Sequence, residues 1–153
     1  MVYYEQGDIL IRDMVPGDAP ILTREEIAQG WDQSIEKYEM RLRHQAEGRS
    51  IALIAEYRGQ VAGYLNVYPD SPWGAFGGQG LPELVDFGVL EKYRRQGIGS
   101  LLYAAVLAFA RDKNCYHVTL NVWACNPGAE AFYRALGMGT MKTTLEAFPP
   151  KNG

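Results

Sequence analysis

The feature that most constrains this chain is the stretch from Val89 to Ser100. An apolar run ends at Val89-Leu90, a short basic segment follows, and Gly97-Ile98-Gly99 opens a helical pattern that continues to Lys113. Read physically, this is a strand, a tight turn and a helix start. A helix start presents unpaired backbone N–H groups and the positive end of the macrodipole. Glycines at 97 and 99 remove the Cβ atoms that would hold a ligand off that backbone. Arg94 and Arg95 add charge beside it, so Arg94 to Ser100 (Arg94, Arg95, Gln96, Gly97, Ile98, Gly99, Ser100) reads as a cradle for a phosphate or pyrophosphate. No Gly-x-x-x-x-Gly-Lys-Ser/Thr occurs, which argues against a P-loop. Leu102 stands where the dinucleotide fingerprint has its third glycine.

The remaining elements follow from periodicity and punctuation. Asp8 to Met14 predicts a first strand, ended by Pro16-Gly17. Asp18 is placed to cap a helix from about Ala19 to Gln29, and Asp32 or Ser34 a second helix that closes at Glu47-Gly48. Ile51–Tyr57 and Val61–Tyr68 flank Arg58-Gly59 as an antiparallel hairpin. The Pro- and Gly-rich segment Pro69 to Gly80 predicts a surface loop. Pro82 to Leu90 is the strand that enters the cradle. The helix after Gly99 carries Leu102, Ala105, Val106 and Phe109 on a face for the core. His117 to Trp123 alternates as a strand, giving a strand–helix–strand crossover with parallel strands. Asn126-Pro127 starts a helix that stops at Gly137. Met141 to Phe148 predicts a last strand, and residues 149–153 a frayed tail. His44 reads as a surface histidine.

With 153 residues and no internal boundary, residues 1–153 read as one domain. A net charge of −3 argues against a broad nucleic-acid footprint. Cys115 and Cys125 form neither a disulfide framework nor a metal-ligand pattern, which fits a reducing, cytoplasmic setting and no metal. The chain has no signal-peptide pattern and no apolar run long enough for a membrane.

Arg94-x-x-Gly97-x-Gly99, the Asn126 helix start and Phe132-Tyr133-Arg134-Ala135-Leu136-Gly137-Met138 together resemble the GNAT superfamily of acyl-CoA-dependent N-acetyltransferases. Met138 replaces the family's usual phenylalanine and keeps an apolar plug there. The resemblance implies an α+β GNAT fold: a central mixed, mostly antiparallel sheet, splayed between two parallel strands and flanked by helices on both faces. It implies acetyl-CoA as cosubstrate, its pantetheine arm paired with the strand backbone at Phe87 and Val89. The pyrophosphate would lie on the N–H groups from Gln96 to Ser100, and Asn126 would reach the pantetheine arm. The acceptor would be the primary amine of a small molecule or peptide, attacking directly. A non-catalytic acyl-CoA sensor on the same fold is the alternative. The acceptor's identity is not legible, nor is the oligomeric state, for which a homodimer stays open.

N-acetyl transfer needs an uncharged amine, a polarised thioester and an acid for the thiolate. The resemblance makes Tyr133 the acid, with Phe132 turned to the core instead. Glu83 is the candidate base, because Glu83, Val85, Phe87 and Val89 share one strand face if no bulge intervenes. A bulge would exchange it for Asp86, and water, relayed by Glu83 or acting alone, is the other alternative. Trp31, Trp73 and Phe76 suggest an apolar or aromatic acceptor wall, with ordinary packing as the alternative for each.

Overall fold

The computed structural model describes residues 1–76, 79–112, 115, 117–122 and 126–150, with the backbone alone over 70–76 and 79–81. Cys125 and Trp123 lie outside the described residues, as do the side chains of Trp73 and Phe76. The elements are β1 (Val2–Gln6), β2 (Ile9–Asp13), α1 (Asp18–Ala28), α2 (Ile35–Ala46), β3 (Ile51–Tyr57), β4 (Gln60–Phe76), β5 (Gln79–Val89), a 3₁₀ turn (Glu91–Tyr93), α3 (Ile98–Asp112) and α4 (Pro127–Ala135). The chain divides into two compact units, Met1–Asn121 and Val122–Gly153.

In the first unit the five strands pair antiparallel in chain order, β1 to β5. β3 has the continuous apolar run Ile51-Ala52-Leu53-Ile54-Ala55 because both its faces are covered. Leu53 and Ala55 pack with Leu65, Val67, Leu84 and, from α3, Ile98, Leu102 and Val106. Ala52 and Ile54 turn the other way, onto Ala19 and Leu22 of α1 and Tyr38 of α2. Helices therefore cover both faces, as the sequence predicts.

The structure differs from the expected elements in five places. β1 precedes the predicted first strand. Its residues are mostly exposed, so it shows little apolar alternation, and Gly7, at φ +60°, supplies the turn into β2. Asp18 does not cap α1. It is buried, and its carboxylate takes hydrogen bonds from both terminal nitrogens of Arg12 (2.8 and 2.9 Å) and from the Val15 N–H (2.8 Å). Between residues 69 and 80, β4 and β5 keep pairing through Ser71↔Leu81 and Phe76↔Gln79. Register shifts absorb the prolines and glycines that suggested a loop. Residues 117–122 make one parallel bridge, Glu83↔Thr119, in place of a strand. Residues 141–150 form no regular structure, and every one is exposed, so no buried face fixes a strand there.

Ser34 caps α2, accepting from the Glu36 N–H. In the second unit, Asn126 caps α4 as predicted, its side-chain oxygen accepting from the Ala129 N–H at 3.2 Å. The helix closes in a Schellman motif: Met138 N–H donates to the Tyr133 carbonyl, Gly137 N–H to that of Arg134, and Gly137 takes φ +103°.

Candidate active site

The exit of β5 sets the direction of its backbone. Leu90 N–H donates to the Ala62 carbonyl of β4 at 2.7 Å. Polar groups alternate along a strand, so the N–H and C=O of Val89 point to the opposite, outer edge. The Arg94 Nε contact with the Val89 carbonyl (3.4 Å) agrees with this direction. The 3₁₀ turn then reverses the chain, and Arg95 (φ +69°) and Gly97 (φ +78°) both take left-handed backbone. Successive turns of this kind collect N–H groups into a concave nest. Gly97 is the residue whose carbonyl accepts the first bond of α3, from Leu101 N–H at 3.2 Å. The N–H groups of α3's first turn therefore have no intrahelical partner. Ile98 and Gly99 are buried, while Arg94, Arg95, Gln96 and Ser100 are exposed. The helix start is docked closely on the sheet: a Cβ at Gly63 would lie 3.0 Å from the Gly88 carbonyl and within 3.3 Å of Leu102 and Ile98.

Further up β5, one rung pairs the outer edge among the described residues. Thr119 N–H donates to the Pro82 carbonyl (2.8 Å) and Leu84 N–H to the Thr119 carbonyl (2.7 Å). The rung below would need an N–H from Pro82, which has none. The rung above would need Asp86, which sits at φ +56° inside a bulge: Tyr64 pairs with Gly88 and Asn66 with Val85, so β5 has an extra residue there. The bulge decides the question of faces. Leu84 lies in the α3-side core, and beyond the bulge Phe87 and Val89 pack against that same core. Glu83 and Asp86 are therefore on the other, α2-facing side. The expected shared face of Glu83, Val85, Phe87 and Val89 is broken, because the extra residue inverts the alternation.

The two carboxylates have different surroundings. Glu83 accepts a hydrogen bond from Asn121 Nδ2 at 3.2 Å. Asp86 is held by Arg41 of α2 through Nε (2.9 Å) and Nη2 (2.8 Å), with Lys37 Nζ at 3.7 Å. Arg41 also donates to the Tyr68 hydroxyl (2.7 Å), which lies 2.7 Å from His44 Nδ1. His44 is thus part of a network and not a plain surface histidine. Burial and the neighbouring Arg49 lower its pKa. Glu26 of α1 is 3% exposed and accepts from Gln33 Nε2 at 2.8 Å. Burial pushes its carboxyl above the usual range, opposed by Lys37. The sequence reading missed this group, although Lys37, Arg41 and His44 are spaced by four and three residues and so line one side of α2. Beside the 3₁₀ turn, a pocket of about 300 Å³ is lined by Gln29, Gly30, Trp31, Glu91 and Arg94. Trp31 is one wall of it.

Asn126 and Tyr133 belong to the second unit. There Tyr133 is half-buried, which raises its phenol pKa, and Phe132 is 41% exposed with its ring 5.6 Å from that of Tyr133. This reverses the expectation for Phe132. The half-buried stripe of α4 runs through Ala129, Tyr133 and Leu136, at helical spacing, and Phe132 falls to one side of it.

A strand that runs into a left-handed nest and a helix N-terminus, at Arg94-x-x-Gly97-x-Gly99, defines a class. The chain belongs to the acetyltransferase (GNAT) family, whose model matches residues 20–138. It is 37% identical over 106 residues to an N-alpha-acetyltransferase of Sulfurisphaera tokodaii, a match that covers 65% of this chain. The match spans 62% of that relative's length. Among solved structures, it is similar to the aminoglycoside acetyltransferase meta-AAC0020 from an uncultured soil metagenomic sample, with TM-score 0.71, 19% identity and 95% and 97% of the two chains covered. It is also similar to glucosamine-6-phosphate N-acetyltransferase from Arabidopsis thaliana, with TM-score 0.69, 17% identity and 93% and 99% covered. At these identities the solved structures speak for the fold. Among the described residues, no helix is long and apolar enough to cross a membrane.

Proposed function

We propose that the protein transfers an acetyl group from acetyl-CoA to a primary amine of a small molecule or peptide, by direct attack of the amine. The observation that carries this reading is that β5 runs directly into the left-handed turn at Arg95 and Gly97 and the N-terminus of α3. In this reading an amide-bearing pantetheine arm pairs with the β5 backbone at Phe87 and Val89. The first-turn N–H groups from Gln96 to Ser100, with Arg94 and Arg95 beside them, suit a pyrophosphate. The family match runs through both units, which supports reading residues 1–153 as one catalytic domain.

Acetyl-CoA supplies the activated acyl group. The chain's own residues bind, orient and move protons. In this reading Asn126 hydrogen-bonds the pantetheine arm, and Tyr133 donates the proton that the departing thiolate requires. Its raised pKa keeps it protonated at neutral pH. Glu83, oriented by Asn121, takes the amine proton directly or through water. The Asp86 carboxylate is engaged by Arg41 and Lys37, which makes it the poorer base. The name of the Sulfurisphaera relative puts peptide α-amines first among acceptors to try. An α-amine, with a pKa of about 8, is already partly neutral at pH 7 and asks less of a base than a lysine-type amine near ~10.

Thiol release from acetyl-CoA, measured over a panel of peptides, polyamines and amino sugars, tests the reading. Turnover that requires an acceptor supports it. CoA binding with no turnover on any amine would identify a sensor instead, and no CoA binding would end both readings.

A further inference from the structure

Trp31 is a large apolar side chain that the fold leaves 58% exposed, yet its backbone is fixed. α1 ends in a Schellman motif: Trp31 N–H donates to the Glu26 carbonyl (3.0 Å), Gly30 N–H to that of Ile27 (2.9 Å), and Gly30 takes φ +92°. The end of α1 is tied in turn to the 3₁₀ turn. Leu90 supplies no side-chain cap to that turn. Gln29 does so from a distant element, its Oε1 accepting the first N–H of the turn, that of Glu91, at 2.6 Å. Lys92 Nζ, 3.3 Å from Glu25 Oε2, is a second tie. Trp31 is thus rooted close to Glu91 and Arg94, and the pocket of about 300 Å³ lies among them. That volume is at the lower end of ligand sites, room for one compact unit of a larger molecule.

Chain order says which unit. In the acetyl-CoA reading the amides of the pantetheine arm lie along β5 as far as Val89, and the pyrophosphate lies on the N–H groups from Gln96 to Ser100. Residues 91–94 fall between these two, and Glu91 and Arg94 both line the pocket. Between its amides and its pyrophosphate the cosubstrate carries the pantoyl unit, a carbon bearing two methyl groups beside a hydroxyl. The lining suits that unit. The Trp31 indole offers an apolar face to the methyl groups, and Glu91 and Arg94 offer an acceptor and a donor to the hydroxyl.

We infer that this pocket seats the pantoyl unit of acetyl-CoA, with Trp31 as its apolar wall. The inference rests on the acetyl-CoA reading above. It gives Trp31 to the cosubstrate and takes it from the acceptor.

The experiment compares wild type, Trp31→Phe and Trp31→Ala. Calorimetry reads the affinity for CoA and for 3′-phosphoadenosine 5′-diphosphate, which keeps the pyrophosphate and the base but has no pantoyl unit. Steady-state kinetics read the KM of the amine. Trp31→Ala should weaken CoA binding about tenfold, the scale of two methyl groups left without an apolar partner. It should leave the diphosphate's affinity and the amine's KM at their wild-type values. Trp31→Phe keeps a flat apolar wall and should keep most of the CoA affinity. A general loss of stability would not separate the two nucleotides in this way. Equal losses for CoA and the diphosphate would place Trp31 on the base or the cradle and overturn the inference. A raised amine KM with CoA affinity intact, the mark of an acceptor wall, would overturn it too, as would no change in any of the three. Should Trp31→Ala fail to fold, Trp31→Gln, which keeps bulk without an apolar face, carries the comparison. A wild type that binds no CoA fails the acetyl-CoA reading and the inference with it. CoA binding that is normal and indifferent to Trp31 fails the inference alone.

Discussion

β5 is held in different ways at its exit and at its bulge. At Val89 the chain runs directly into the 3₁₀ turn, the nest and α3, and the features that matter there come from neighbouring residues: Arg95, Gly97 and the first turn of the helix. At Asp86 the strand is held by Arg41, a residue 45 positions away in the chain. The exit is a local device that suits binding. The bulge is a tertiary device, next to the carboxylates proposed for chemistry. The difference teaches that affinity and turnover should separate along one strand.

The largest effects are expected at the residues proposed for proton transfer. Glu83→Gln and Tyr133→Phe should each lower kcat by about 10²–10⁴, the scale of one acid or base. Both should leave CoA affinity intact. The acidic limb of kcat/KM should vanish only in Glu83→Gln. Normal turnover in either variant would strip that residue of its role, and a matching loss of CoA affinity would mean the two regions are not separable.

The reverse test belongs to the cradle. Gly99 is buried, so a substitution there confounds folding with binding. Ser100 is exposed in the first turn of α3. A carboxylate at that position suits the helix dipole, adding about 0.3–1 kcal/mol to the free protein, and opposes a bound pyrophosphate. Ser100→Glu should therefore keep or raise the melting temperature alone. It should also lose most of the roughly 2.7 kcal/mol that CoA at ~100 times its dissociation constant contributes to the wild type. An undiminished CoA shift would move the anion elsewhere.

A smaller effect tests the junction of the two regions. Gly63 of β4 lets α3 approach until a Cβ there would crowd the Gly88 carbonyl, Leu102 and Ile98. Gly63→Ala should destabilise the fold by about 1–3 kcal/mol through overpacking. By shifting α3, it should also raise the KM for acetyl-CoA more than it lowers kcat. An unchanged melting curve would show that the helix can give way at no expense.

The same contrast explains what the sequence made legible. The cradle, the Asn126 cap and the Gly137 stop each depend on residues within a turn of one another, so spacing alone revealed them. The bulge at Asp86 leaves no local mark: Val85-Asp86-Phe87 reads as ordinary alternation, and the partners of the Asp86 carboxylate, Arg41 and Lys37, come from α2. β1 was hidden because an exposed edge strand needs no apolar face, though Gly7 gave a turn signal. Residues 141–150 misled for the opposite reason. Their composition suits a strand, and the folded chain gives them no buried face. The stripe of Lys37, Arg41 and His44 was visible in the sequence. Its partner was not, because pairing across the sheet is set by tertiary packing.

Glu26 gives the smallest and most specific test, since it ties the region proposed for chemistry to pH while the cradle offers no comparable buried acid. Its carboxyl is pushed up first by burial. Lys37 and its hydrogen-bond partners pull it down, and the Asp86 charge pushes it up further. A carboxyl whose pKa is raised on folding favours the neutral form in the folded state. Its contribution to stability is fully present below the unfolded value, about pH 4, and is lost as pH rises through the folded value. Above the folded value the wild type therefore carries an ionised group in a place that disfavours charge. Glu26→Gln keeps the shape and an acceptor for Gln33 but never ionises. It should melt with the wild type near pH 4 and above it by roughly 2–4 °C at pH 7, the shift that about 1 kcal/mol produces in a domain of this size. Parallel melting temperatures from pH 4 to pH 8 would show that the carboxyl is better solvated than its burial implies. A fall at pH 7 would show that its charge is stabilised there, with Lys37 the dominant neighbour.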